Sequence, residues 1–171
     1  SLADIDRPYS NTLYRTAIAV GDYPVDHHHY RNPDWRDLPQ LEFHPVPSFS
    51  VPFGVMVPKE AEDILVIEKA VSVTCVANGA TRLQPVVMEI GQAAGIAAAV
   101  AALKSGGARP RLRDVSVREV QEGILAAGGY LMPYLDIAPD DPRFAAVQRI
   151  GATGIMRGDG RSVGWSNETW F

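Results

Sequence analysis

After Pro85 the chain runs for nineteen residues, 86–104, without another proline: Val-Val-Met-Glu-Ile-Gly-Gln-Ala-Ala-Gly-Ile-Ala-Ala-Ala-Val-Ala-Ala-Leu-Lys. Alanine dominates the run, and alanine gives up least on entering a helix. Gly106-Gly107 then ends it. Such a helix would rise about 28 Å, close to the thickness of a bilayer core. Glu89, Gln92 and the modest apolarity of alanine argue instead for a helix packed inside a folded protein. Gly91 and Gly95 keep it narrow, so that its backbone can approach a neighbour closely, whether a second membrane helix, a sheet or a flat cofactor. The rest of the chain has to supply that neighbour.

Upstream, the residue pattern predicts strands. Residues 12–20 read as one, with Gly21-Asp22 turning the chain. Residues 21–48 hold Pro24, Pro33, Pro39, Pro45 and Pro47, each removing an amide donor, and read as ordered loops with short edge strands. Phe49 to Val57 reads as a strand interrupted at Pro52. Residues 63–67 and 71–76 are rich in β-branched side chains and predict two more, the first apolar after Asp63 as in a sheet covered on both faces. Downstream, Ser116-Val117-Arg118-Glu119 is a capping box that starts a helix ending at Gly128-Gly129. Phe144, Val147 and Ile150 give a third helical stripe after Pro142, closed by Gly151 and Gly154. The fold class read from this order is α/β: a mixed sheet over 12–76, the long Ala/Gly-rich helix, and a small C-terminal helical unit. The domain division expected is 1–108 and 109–171.

With 46% hydrophobic and 21% charged residues the chain is globular in composition, and its formal charge of −4 offers no basic field to nucleic acid. The 15 glycines and 13 prolines indicate a loop-rich architecture. Cys75 is the single cysteine, so neither an intrachain disulfide nor a cysteine-based zinc site can form. Its apolar surroundings predict a small buried side chain. Lys104, Arg118 and the arginines of 109–113 form a basic run, readable as a solvated surface or as a site for phosphate or an acidic partner. The beginning at Ser1 and the end at Trp170-Phe171 point to a portion of a longer protein. Compartment is left open.

Two segments carry residues suited to chemistry. Asn78-Gly79-Ala80-Thr81-Arg82-Leu83-Gln84-Pro85 places flexible backbone and an arginine at the start of the long helix, where amides without internal partners favour an anion or an electron-rich carbonyl. The plainer reading is a strand–loop–helix connection with Arg82 in solvent. In Asp26-His27-His28-His29-Tyr30-Arg31, an extended backbone puts His27 and His29 on one face. They can hold a metal with Asp26 or His44, act as acid or base on a substrate, or simply hydrogen-bond within a polar loop. An enzyme eliminating across a uronate would use His27, His29 or Tyr30 as base and Arg31 for the carboxylate.

Arg82-Leu83-Gln84-Pro85-Val86-Val87-Met88-Glu89-Ile90-Gly91-Gln92-Ala93-Ala94-Gly95, preceded by Leu65-Val66 and Val71-Ser72-Val73-Thr74, resembles the C-terminal end of FAD-dependent oxidoreductases. Asp22-Tyr23-Pro24-Val25-Asp26-His27-His28 and Pro52-Phe53-Gly54-Val55-Met56-Val57-Pro58-Lys59 resemble the same family in the same order. The likeness spans roughly residues 15–105 and is closest to the branch often labelled xanthan lyases. It implies FAD in the full-length protein, with the helix N-terminus aimed at the flavin pyrimidine edge. The backbone of Gln84, Pro85, Val86 and Val87 would be flavin-facing, the amides of Val86 and Val87 donating, and Arg82 would lie beside the ring or the substrate. A reduced flavin gathers negative charge at N1 and the C2 carbonyl, which helix-end amides stabilise.

The chain departs from that family at two places. No Gly-x-Gly-x-x-Gly follows a strand; Gly158-Asp159-Gly160 with Gly164 has the wrong spacing for a pyrophosphate. Ile67-Glu68-Lys69 stands where other branches place Gly-Arg. The partner this implies is an N-terminal nucleotide-binding half of the same protein, with a small-molecule or saccharide substrate, and the 171 residues alone are expected not to hold FAD tightly. Pro133-Tyr134-Leu135-Asp136-Ile137, Phe144-Ala145-Ala146-Val147-Gln148-Arg149-Ile150 and Gly154-Ile155-Met156-Arg157-Gly158 resemble the S-layer homology pattern, implying a helical surface or wall-binding module; an ordinary helical appendage to the flavoprotein is the equal alternative. The reading is a fragment of an FAD-dependent oxidoreductase, with a polysaccharide lyase or a non-catalytic carbohydrate-binding module as alternatives. No metal site and no membrane span are expected.

Overall fold

The computed structural model describes residues 1–27, 42–108, 111–161, 163 and 168–171. His28, His29, Tyr30, Arg31 and Arg109 lie outside the described residues. In chain order the elements are α1 (Leu2–Asp6), β1 (Ala17–Gly21), β2 (Val25–Asp26), β3 (Glu42–His44), β4 (Phe49–Pro52), α2 (Cys75–Thr81), α3 (Gln84–Lys104), α4 (Val117–Ala126), α5 (Phe144–Thr153), β5 (Asp159–Arg161) and β6 (Glu168–Trp170). The fold is mixed α/β.

The strands, however, do not build one sheet over 12–76. Among the described residues they form three antiparallel pairs, β1 with β4, β2 with β3, and β5 with β6. The β1–β4 ladder runs from Ala17 opposite Pro52 to Gly21 opposite Phe49. Residues 63–67 are not a strand: Ile64 and Ile67 are exposed and the segment forms isolated bonds, such as Val66 N–H to Met56 C=O at 2.8 Å. Nor are residues 71–76. The Thr74 hydroxyl accepts from Ala77 N–H at 3.3 Å and caps α2, so helix begins where β-branched composition predicts strand.

The long helix starts at Gln84, with proline in its first turn, and ends at Lys104 before Gly106 and Gly107, both at positive φ. Its buried stripe is Val86, Ile90, Ala93, Ala94, Ala97 and Ala101. All of these but Ala101 pack in one core with Tyr14, Ile18 and Phe49 from the strand region and with Val120, Ile124, Met132 and Phe144 from the C-terminal part. Gly91 and Gly95 are not the close-approach point; each faces open space. That role falls to Gly123 of α4, where a Cβ would lie 2.5 Å from Ile96 Cγ2. By length and composition α3 could cross a membrane, the one such helix among the described residues.

The predicted helices at 117 and 144 are present, but the capping box at Ser116 is not closed: its side chain makes no cap bond. Glu119 is drawn to Lys104 Nζ at 2.6 Å instead. The described part of the basic run is likewise engaged within the chain. Arg111 pairs with Glu62 and Asp114, and Arg113 donates to the carbonyls of Pro58 and Lys59 at 2.7 and 2.9 Å.

Candidate functional site

Helix α2 is short, and its residues 75, 78 and 79 with Arg82 at its C-cap recur at helical spacing, so they share a face. With Asp26 and His27 they line a cleft of about 180 Å³: Asp26, His27, Cys75, Asn78, Gly79 and Arg82. The histidine segment and the residues leading into α3 thus meet in one place, 56 residues apart in sequence at Asp26 and Arg82.

Three contacts assemble the cleft. Arg82 Nη2 donates to the Asp26 carbonyl at 3.0 Å and lies 3.5 Å from Asp26 Oδ2. His27 Nε2 lies 3.2 Å from Cys75 Sγ. Gly79 lets the two layers touch, since a Cβ there would fall 2.9 Å from the Asp26 carbonyl oxygen. Replacing Gly79 with alanine forces α2 away from β2. The expected result is a loss of about 1–3 kcal/mol in urea unfolding, together with faster alkylation of Cys75 as the His27 contact opens. An unchanged midpoint and alkylation rate would exclude this role for Gly79.

Cys75 corrects the sequence reading directly. It is exposed rather than buried, because a residue read as mid-strand is the first residue of a helix facing the cleft. The spacing 75-78-79-82 was the available signal, hidden by reading 71–76 as strand. His44, considered as a metal ligand, stands with Nε2 at 3.7 Å from Asp6 Oδ1. Among the described residues no three His, Cys, Asp or Glu side chains gather around one point.

The start of α3 follows Arg82 immediately. Arg82, Gln84 and Pro85 are exposed, Val87 is half-buried, and Val86 turns into the core. Because the helix begins at Gln84, two residues before the run from which it was predicted, Val87 N–H donates to the Leu83 carbonyl at 3.0 Å. Its amide is therefore spent inside the helix. Gln84 and Val86 carry the first-turn amides that have no intrahelical carbonyl, and Pro85 has none to give. One turn further, Glu89 reaches back to β1, where Val20 N–H donates to Oε2 at 2.6 Å. Burial pushes its carboxyl up to about 7, and the Val20 bond offsets only part of this.

The cleft thus sets a carboxylate, an imidazole, a thiol and a guanidinium beside an exposed helix N-terminus whose first-turn amides lack intrahelical acceptors. The model of the family described as FAD dependent oxidoreductase matches residues 3–124, and the chain belongs to that family. No curated protein and no solved structure matches it. The residues present fit part of such a cofactor: the open first turn of α3 and Arg82 suit the electron-rich edge of a flavin. Among the described residues there is no pyrophosphate cradle. Gly158-Asp159-Gly160 leads into and forms strand β5, whose Gly160 pairs with Thr169 of β6 rather than opening a helix.

Proposed function

We propose that this chain supplies the substrate-side wall of the flavin site in an FAD-dependent oxidoreductase. The observation that carries the reading is the cleft joining His27 to Arg82 at the threshold of α3, in a chain of this family. Flavin, when bound, supplies the two-electron chemistry. The chain's own part is to present the amides of Gln84 and Val86 and the guanidinium of Arg82 to the electron-rich side of the ligand, with Pro85 and Val87 shaping the backbone there. Asp26 holds Arg82 in place. His27 handles a substrate proton, joined by His29 and Arg31 from the adjoining segment.

The nucleotide-binding half of the same protein is the partner that completes the site. Support comes from the face of α3 turned away from the core, where Met88 and Leu103 are 73% and 85% exposed and Gly91 and Gly95 have room for another backbone. For substrate we propose a saccharide, on the likeness to the branch labelled xanthan lyases and on the polar lining of the cleft. The test is purification of the whole gene product, with visible flavin absorption measured before and after adding FAD, and bleaching followed as candidate sugars are supplied. A flavin band bleached by a sugar is expected. A colourless protein that takes up no FAD would overturn the reading, and release of an unsaturated uronate from an acidic polysaccharide would replace it with a lyase.

A further inference from the structure

We propose that a second cavity, on the other side of α2 from the cleft, binds a small uncharged molecule made of an apolar ring and a hydroxyl, such as a simple phenol. The site is separate from the cleft and does not rest on the flavin reading. Helix α2 divides the two: Cys75, Asn78 and Gly79 line the cleft, whereas Ala77 and Thr81 line a cavity of about 280 Å³ together with residues of α1 and β4. An apolar cavity of about 150 Å³ already holds a benzene-sized guest, so a substituted ring has room here.

The lining sets the chemistry of the guest. Ile5, Leu13, Val51, Val55 and Val73 give it apolar walls. No lysine, arginine or histidine is among the lining residues. The carboxylate of Asp4 is engaged by Asn11 Nδ2 at 2.9 Å and by the Ser1 hydroxyl at 2.6 Å. A charged guest would lose its hydration there without meeting a counter-ion. The hydroxyls of Ser50 and Thr16 donate to the carbonyls of Leu131 and Leu13 at 2.8 and 2.9 Å. Thr81 differs from both. It is 4% exposed, and its Oγ1 lies 3.4 Å from Asn78 Oδ1, whereas a good hydroxyl-to-oxygen bond measures about 2.5–3.0 Å. A buried hydroxyl held by so long a bond is stabilised by a closer partner. The hydroxyl of a guest in the cavity supplies that partner, while its ring lies against the valines.

The experiment is a ligand-detected NMR titration of the full-length protein with 4-methylphenol, toluene and benzoate. Saturable binding is expected for 4-methylphenol, weaker binding for toluene and none for benzoate. Thr81→Val keeps the shape without the hydroxyl; it should weaken 4-methylphenol about 3–10-fold and leave toluene unchanged, and Thr81→Ser should retain the parent affinity. Val73→Phe, which fills the cavity from a half-buried wall, should abolish binding of both with little change in melting temperature. Toluene binding by Thr81→Val reports an intact cavity; should that variant fail to fold, Val73→Phe decides. Absence of saturable 4-methylphenol binding, equal binding of benzoate, an unchanged 4-methylphenol affinity in Thr81→Val, or binding that survives in Val73→Phe would each overturn the proposal.

Discussion

Replacing Gln148 with methionine is expected to lower the unfolding free energy by roughly 4 kcal/mol and the melting temperature by about 10 °C. Gln148 is fully buried on α5. Its Oε1 accepts from the amides of Leu131 and Met132 at 2.8 and 2.7 Å, and its Nε2 donates to the Met132 carbonyl at 3.1 Å. One side chain thereby satisfies three backbone groups of an irregular segment that has no ladder to join. Methionine matches its length and apolar volume but leaves two N–H groups and a carbonyl buried without partners, each costing about 1–3 kcal/mol. Thermal and urea unfolding followed by circular dichroism measure the loss. A change below about 1 kcal/mol would mean that this segment rearranges to reach water.

Glu89 should make stability depend on pH in the direction opposite to an ordinary surface carboxylate. Burial raises its folded-state value to about 7 against a model-compound 4.5. The folded state then holds the proton over a range where the unfolded state has released it, so the charged form penalises the fold. Stability is lowest above pH 7, rises as pH falls through 7, and the gain is complete near 4.5. After allowance for residual solvent contact, the difference is about 2–3 kcal/mol. Glu89→Gln keeps a carbonyl acceptor for Val20 N–H and removes the charge. It should stabilise the chain by about that amount at pH 8 and change little at pH 5. Comparing the two proteins at each pH cancels the contribution of every other titrating group. Asp4, Glu122 and Asp141 do not interfere, since their hydrogen bonds to the N-terminal amine, Arg149 and Arg143 hold them below the ordinary carboxylate range. Equal stabilities for the two proteins at pH 8 would show that Glu89 is already neutral or solvated there.

Helices α3 and α5 were legible because each carries a local signal strong enough to stand alone. In α3 it is alanine content after a proline; in α5 it is the Phe144–Val147–Ile150 stripe closed by Gly154, whose φ is 81°. The stretch 71–76 was not legible. Val71, Val73 and Val76 favour extended backbone, but the Thr74 cap and the packing of α2 on β2 outweigh a propensity difference of about 1 kcal/mol. Misreading that element hid Cys75 as a cleft residue. The start of α3 was legible to within two residues, and that difference commits the Val87 amide to the Leu83 carbonyl.

By itself, the sequence determined that a long, narrow, alanine-rich helix follows an Arg-x-x-Pro segment, and that the chain resembles flavin oxidoreductases there. These are properties of neighbours along the chain, where propensity, capping and spacing act over a few residues. The tertiary structure alone decided what that helix packs against and what it faces. Gly91 and Gly95 are left open while Gly123 takes the close contact with Ile96; Glu89 is buried against β1; and His27 is brought to Cys75, and Asp26 to Arg82, across 48 and 56 residues of sequence. Contacts of that range depend on volumes and exposed polar groups meeting in space, and no local pattern encodes them.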